Sequence, residues 1–177
     1  MQTYISLLRG INVSGQKSIK MEALKSIYEK LGLQDIRTYI QSGNVLFEST
    51  IQDTRILSEM ISAGIKKYFL FDVPVLVKTS VDWTDYVKRN PFPEKDITKI
   101  GLTFLHDKVQ NPDSEDFNKI KHSSEKIEFA DDAVYLYLPN GFGRTKLSNN
   151  FIEKQLSVTA TTRNWKTVLK LHDMIQG

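Results

Sequence analysis

Apolar residues in this chain fall into one order twice over, and that order limits the folds open to it. Ile5, Leu7 and Leu8 form a short apolar run that ends at Arg9-Gly10, too short for a helix and so read as a strand. Met21, Leu24, Ile27, Tyr28 and Leu31 then recur at helical spacing, and Gly32 closes that helix with Leu33 placed for the apolar contact of such caps. Ile36 to Ile40 and Val45 to Phe47 read as strands, and Gln41-Ser42-Gly43-Asn44 between them makes a hairpin. Asp53 caps a long helix through Ile56, Leu57, Met60, Ile61, Ile65 and Phe69. Val73 to Val77 is a further strand, and Pro74 near its start marks an edge. The order is β-α-β-β-α-β, that of the ferredoxin-like unit.

Asp82-Trp83 opens a short helix that stops at Asn90-Pro91-Phe92-Pro93, since the residue before a proline disfavours helical geometry. The order then returns. Lys99 to Leu105 is a strand, and Asp113 to His122 a helix opened by Pro112. Lys126 to Phe129 and Ala133 to Leu138 make a hairpin across Asp131-Asp132. Asn150 to Leu156 is a helix, and Val158 to Thr161 a last short strand. Trp165, Val168, Leu169 and His172 share one face of a terminal helix, with Thr161 or Thr162 as its N-cap. The expected fold is α+β: two tandem ferredoxin-like (β-α-β-β-α-β) modules with antiparallel sheets packed into one unit, plus a C-terminal helix. Residues 1–80 make the first module, 81–98 a connecting helix and linker, and 99–177 the second module with the terminal helix.

A chain of 177 residues can bury about 70% of its unfolded surface and needs no covalent or metal staple. It has no cysteine, which excludes thiol catalysis, disulfides and thiolate metal sites and fits a reducing cytoplasm. No basic and apolar leader precedes the first strand, and no apolar run reaches the roughly 18 residues of a membrane helix. Net charge is +3, but from Asn140 onward Arg144, Lys146, Lys154, Arg163, Lys166 and Lys170 face only Glu153 and Asp173. A solvated face explains that excess as well as a binding patch does.

The loop after the first strand nearly spells a phosphate-binding P-loop. Gly10 and Gly15 have the right spacing, but Gln16 is inserted before Lys17-Ser18, and the lysine of a P-loop must curl back over the loop it directly follows. A generic anion-binding loop and a plain glycine turn both remain open. Two other stretches combine glycine or amide residues with cations, Asn140 to Lys146 and Thr161 to Asn164. The candidate ligand-binding residues are Arg9, Asn12, Lys17, Lys20, Asn140, Arg144, Lys146, Arg163 and Asn164. Arginine grips phosphate or carboxylate with two parallel hydrogen bonds, and asparagine both donates and accepts. Arg163 is expected in the first turn of the last helix, where it opposes the helix dipole unless an anion is bound. In a β-α-β-β-α-β module the first and third strands are expected to run parallel, so Arg9-Gly10 lies at the opposite end from Ser42-Gly43-Asn44. By the same rule the Asn140 loop lies opposite Thr161-Thr162-Arg163, and a shared site must form between modules.

The chain also resembles a known family. Leu7-Leu8-Arg9-Gly10-Ile11-Asn12-Val13, Ile19-Lys20-Met21, Tyr39-Ile40-Gln41-Ser42-Gly43-Asn44-Val45, Asn90-Pro91-Phe92, Pro139 to Leu147 and Thr161 to Val168 match, in order, the bacterial family of domain of unknown function 1697. The resemblance implies a duplicated ferredoxin-like α+β protein of the bacterial cytoplasm, with no established activity, substrate or cofactor. Relatives often carry Gly-Gly-Lys-Asn where this chain has Ser14-Gly15-Gln16-Lys17, which weakens any role that needs a second glycine there.

Catalytic constellations do not emerge. His106, His122 and His172 lie on separate elements without ligand spacing, so no metal is expected, and His172 reads as a hydrogen-bonded core histidine. No cofactor is indicated, and no reaction is assigned. The leading reading is a small anionic ligand, a nucleotide or phosphorylated metabolite, bound between the modules. A nucleic-acid-binding module is the alternative. It would stack bases on strand aromatics such as Tyr4, Tyr39, Phe47, Phe104, Tyr135 and Tyr137, which otherwise seal the sheets. A protein-interaction or regulatory domain without ligand is the third reading.

Overall fold

A computed structural model describes residues 1–110, 112 and 115–177. The chain runs β1 (Gln2–Leu8), α1 (Met21–Lys30), β2 (Gln34–Tyr39), β3 (Asn44–Ser49), α2 (Thr54–Phe69), β4 (Val75–Thr79), α3 (Ser80–Lys88), β5 (Ile100–Leu105), α4 (Glu115–Ile120), β6 (Lys126–Phe129), β7 (Ala133–Tyr137), α5 (Asn149–Leu156), β8 (Ala160–Asn164) and α6 (Trp165–Gln176). It is an α+β protein with two four-stranded antiparallel sheets and, among the described residues, six α-helices. The strand orders are β2-β3-β1-β4 and β6-β7-β5-β8, so each strand of one sheet has a counterpart at the same place in the other. The chain divides into two compact units, Met1–Tyr86 with Leu171–Gly177, and Val87–Lys170; the divisions fall within α3 and α6.

In the first unit the inward faces of α1 and α2 close over one face of the sheet. Leu24, Ile27 and Tyr28 of α1 and Leu57, Ile61 and Ile65 of α2 are buried with Tyr4, Val45, Phe47 and Val75. Ile56, expected on that face, points outward and is exposed. The Tyr28 ring meets Phe47 edge-on at 5.6 Å, and its hydroxyl bonds to Ser6 Oγ at 2.7 Å. Burial raises the pKa of that hydroxyl, so it stays protonated and serves as a hydrogen-bonding anchor. Helix α1 ends as its sequence indicates. Gly32 N donates to Glu29 O at 3.0 Å and Leu33 N to Tyr28 O at 3.1 Å, which satisfies carbonyls left open at the helix end. Asp53 Oδ1 caps α2 by accepting from Arg55 N at 2.8 Å and Ile56 N at 3.3 Å. Strand β4, entered through Pro74, is an edge strand.

The second unit packs Phe117 of α4 and Ile152 of α5 against Leu105, Val134, Leu136 and Leu138. Phe117 meets Phe129 and Phe151 edge-to-face at 5.1 and 5.3 Å. Of the helix expected from Asp113, the part from Glu115 is present; Asp113 lies outside the described residues. The last strand begins at Ala160 and runs to Asn164, later than the expected Val158 to Thr161.

Strand direction differs from expectation in a way that matters for function. β1 and β3 pair antiparallel, with Leu7 opposite Asn44. A crossover through α1 returns β2 parallel to β1, and the hairpin then reverses β3. The loop after β1 and the β2–β3 turn are therefore at the same end. They touch: Leu8 N donates to Gly43 O at 2.9 Å. A Cβ on Gly43 would stand 2.7 Å from both Leu8 Cβ and Ile11 Cδ1, and Gly43 has φ of +76°.

Two glycines of the first unit should therefore respond differently to alanine. Gly32→Ala meets only a left-handed backbone (φ +79°, open space around it) and should cost about 1–2 kcal/mol. Gly43→Ala adds steric overlap with Leu8 and Ile11, worth about 1–3 kcal/mol more. Urea unfolding of the two variants should rank Gly43→Ala as clearly less stable, and equal midpoints would contradict the close approach.

Candidate functional site

The loop between β1 and α1 is held in shape by one side chain. Asn12 Nδ2 donates to Ile19 O at 3.0 Å and to Gln41 O at 2.7 Å, while Asn12 Oδ1 accepts from Ile19 N at 2.8 Å. One amide thus closes the loop on itself and ties it to the hairpin turn. Asn12 N also donates to Lys17 O at 3.2 Å, and Gln16 N to Val13 O at 2.9 Å. Between Gly10 and Lys17 the residues Asn12, Ser14 and Lys17 have φ of 53°, 50° and 47°, and Gly15 has φ of 73°. Left-handed geometry costs a residue with a Cβ about 1–2 kcal/mol, an amount that the three Asn12 hydrogen bonds, at about 1 kcal/mol each, can offset.

Cations surround this loop. Lys17 is exposed, and its Nζ donates to Asp72 O at 2.7 Å, leaving two ammonium donors over. Lys66 takes the Asp72 carboxylate at 2.9 Å, so that acid is already paired. Arg9 is half-buried, its N–H bonding Pro74 O at 3.0 Å. Lys20 is exposed and stands at the N-cap of α1, with no side-chain cap hydrogen bond. Arg9, Asn12, Lys17 and Lys20 thus belong to one loop, with Asn12 shaping it and the cations around it.

In the second unit, β7 and β8 each pair antiparallel with β5 and so run in the same direction. The Asn140 to Lys146 loop after β7 and the end of β8 therefore share one end of the sheet, contrary to the expected separation. Asn140, Arg144 and Lys146 are all exposed there. Arg163 is not in the first turn of a helix. It lies in β8, 8% exposed, with Nη1 donating to Thr161 Oγ1 at 2.8 Å and Thr162 O at 3.0 Å. The dipole conflict that pointed to a bound anion does not exist. Burial pushes its pKa down to about 10, which leaves the guanidinium charged at neutral pH. Asn164, not Thr161 or Thr162, caps α6: its Oδ1 accepts from Thr167 N at 2.9 Å.

The histidines do not gather. His106 Nδ1 lies 3.2 Å from Asp107 Oδ2 and His122 Nδ1 2.8 Å from Ser124 Oγ. His172 Nε2 is buried without a hydrogen-bond partner among the described residues, where a bonded core histidine was expected. Among the described residues no three His, Asp or Glu side chains group as a metal site would need. A cavity of about 350 Å³ in the second unit is lined by Val109, Gln110, Pro112, Phe129, Ala130 and Asp131. Among the described residues its lining offers a carboxylate and no cation, which does not suit an anion. Tyr4, Phe47, Phe104 and Tyr135 are buried and cannot offer their faces to bases, whereas Tyr39 and Tyr137 are half-buried. Sequence reasoning missed Phe142, which is exposed beside Gly101. The glycine inside an apolar strand was the available signal.

Replacing Asn12 tests the clamp. Asn12→Ala should cost about 2 kcal/mol and speed amide exchange across residues 13–18. Asn12→Asp should be worse, because its carboxylate would face the carbonyls of Ile19 and Gln41. An Asn12→Asp variant as stable as the parent protein would show that the clamp does not hold the loop.

Among solved structures, the chain is similar to a conserved bacterial protein, SP0830 from Streptococcus pneumoniae, at 20% identity and a TM-score of 0.75 over 98% of each chain. At that identity the likeness speaks for the fold alone. No curated protein matches the chain. No helix among the described residues is long and apolar enough to cross a membrane. The family described as protein of unknown function (DUF1697) matches residues 1–135, and the chain belongs to that family.

Proposed function

We propose that the first unit binds a small anionic ligand, a nucleotide or phosphorylated metabolite, at the Gly10 to Lys20 loop. The observation that carries this reading is the run of left-handed residues Asn12, Ser14, Gly15 and Lys17, three of them not glycine. Left-handed residues turn neighbouring N–H groups toward one side of the backbone and make a concave seat for an anion. Strain of this kind gathers at functional sites, where surrounding contacts hold it in place. The amides of Ser14, Gly15 and Ser18 bond to no other described residue. The first turn of α1 follows, and its N-cap Lys20 supplies no side-chain acceptor. Lys17, Lys20 and Arg9 supply the charge, and Asn12 positions the backbone.

The same reading takes each unit as ferredoxin-like and the chain as a duplication, with residues 1–80 and 99–177 as the copies and 81–98 between them. Its support is the matching strand order of the two sheets. A cytoplasmic setting is part of the proposal, on the absence of cysteine.

Thermal unfolding against inorganic phosphate, nucleotides, sugar phosphates and carboxylates tests the ligand. A one-site ligand at a hundredfold over its dissociation constant adds about 2.7 kcal/mol, or roughly 5–10 °C for a chain of this size. One class of small anion should raise the midpoint by that amount, and Lys17→Ala should remove most of the rise. No shift from any compound, or a full shift in Lys17→Ala, would overturn the reading.

A further inference from the structure

We propose that the second unit binds single-stranded nucleic acid at the end of its sheet where β5 begins and β7 and β8 finish, with Phe142 as the base-stacking platform. This goes beyond the small-anion site and rests on other residues. Phe142 follows Gly141, whose φ is +88°, in the loop after β7. Its ring lies on β5 itself: a Cβ on Gly101 would be 2.6 Å from Phe142 Cε1 and 3.1 Å from Cζ, with Thr162 Cγ2 next at 3.6 Å. Only glycine leaves room for the ring to sit that close to the strand. One side of the ring is thus supported by backbone, and the residue is still 38% exposed. A large apolar side chain held firmly and left open is what a base needs to stack on.

Cations stand at the same end. Ile100 pairs with Tyr137, and Gly101 with Asn164, so the segment before β5, the loop after β7 and the start of α6 come together. Lys99 N donates to Asp96 O at 2.9 Å, and Leu138 N to Lys99 O at 2.7 Å, which fixes Lys99 at this edge. Asp96 is held below the usual carboxylate range by its hydrogen bonds from Thr98 and then by Lys99 and Lys166, which places both lysines near it. Arg144 is exposed two residues beyond Phe142. Lys95 Nζ lies 5.3 Å over the ring of the half-buried Tyr137. A cation-rich edge tracks phosphates, and an exposed ring beside it takes an unpaired base. A duplex hides its base faces and cannot use Phe142. The sheet face cannot replace this platform, since Phe104 and Tyr135 are buried.

Fluorescence anisotropy of the full chain with labelled oligouridine RNA, oligothymidine DNA of equal length and a matching duplex tests the proposal. Single strands should bind more tightly than the duplex. Affinity should fall with salt along a log–log slope no steeper than about −3, as four phosphate contacts allow, and Lys99→Gln or Lys166→Gln should each flatten it by about 0.7. Phe142→Leu keeps an apolar contact with Gly101 but has no ring face, and should weaken binding by about tenfold. Phe142→Tyr should keep the affinity, and that rescue separates stacking from a folding defect. A preference for RNA or for DNA would name the natural strand. No binding at low salt, a duplex bound as tightly as single strands, or unchanged affinity in Phe142→Leu would overturn it.

Discussion

The antiparallel pairing of β1 with β3 decides where everything chemically interesting in the first unit can be. Because Leu7 lies opposite Asn44, the chain leaving β1 emerges beside the turn that enters β3. Gly43 has no side chain to hold them apart, so Leu8 and Ile11 pack against its Cα. That closeness puts Gln41 O within 2.7 Å of Asn12 Nδ2. Asn12 then sets the path of the backbone from Val13 to Ile19. Each step needs the one before it: a parallel β1 and β3 would leave Asn12 with no hairpin to grip.

Much of this fold could be read from sequence where the determinants are local. Gly32 after a helical pattern, Asp53 before one and Pro74 at a strand start each act within a few residues, and each is found doing what it suggests. What failed depended on partners distant in sequence. The direction of β3 relative to β1 follows from topology and not from any residue in either strand, and the wrong direction separated loops that in fact touch. The end of the chain failed for a related reason. Thr161, Thr162 and Arg163 have the look of a helix start, but pairing with Phe104, Thr103 and Leu102 extends the strand through them. The cap moved to Asn164 as a result. Ile56 illustrates the converse limit, since helical spacing places it near the apolar face without saying where that face ends.

The candidate cations likewise divide by burial, which charge counting cannot see. Arg163 was the residue that most suggested an anion, yet its Nη1 bonds within its own strand and desolvation alone lowers its pKa. A buried charge with hydrogen-bond partners is part of the framework, and removing it would leave those partners stranded. Lys17, Lys20, Arg144 and Lys166 are exposed, where charge costs little and remains available. The net charge of +3 does not distinguish a candidate cation committed to the fold, Arg163, from candidates that are not.

Backbone strain bears on which exposed loop is more than a connection. A chain that only has to turn from β1 to α1 can place glycine wherever φ must be positive, and this one does so at Gly10 and Gly15. At Asn12 the cost is offset by three hydrogen bonds, and at Lys17 by the bond to Asp72 O. Ser14 has no such compensation among the described residues. Ile40, across the Asn12 clamp in the hairpin turn, is a β-branched residue at φ of 52° and 48% exposed, an arrangement that neither packing nor turn chemistry favours. Unfavourable geometry at Ser14 and Ile40, on the two segments that one asparagine joins, lies where β1 and the hairpin turn meet. Left-handed non-glycine residues also occur at Asp35, Leu70 and Ser157, but Asn12, Ser14, Lys17 and Ile40 are set apart by lying on the two segments that this asparagine joins, at the end of the sheet that carries Arg9, Lys17 and Lys20.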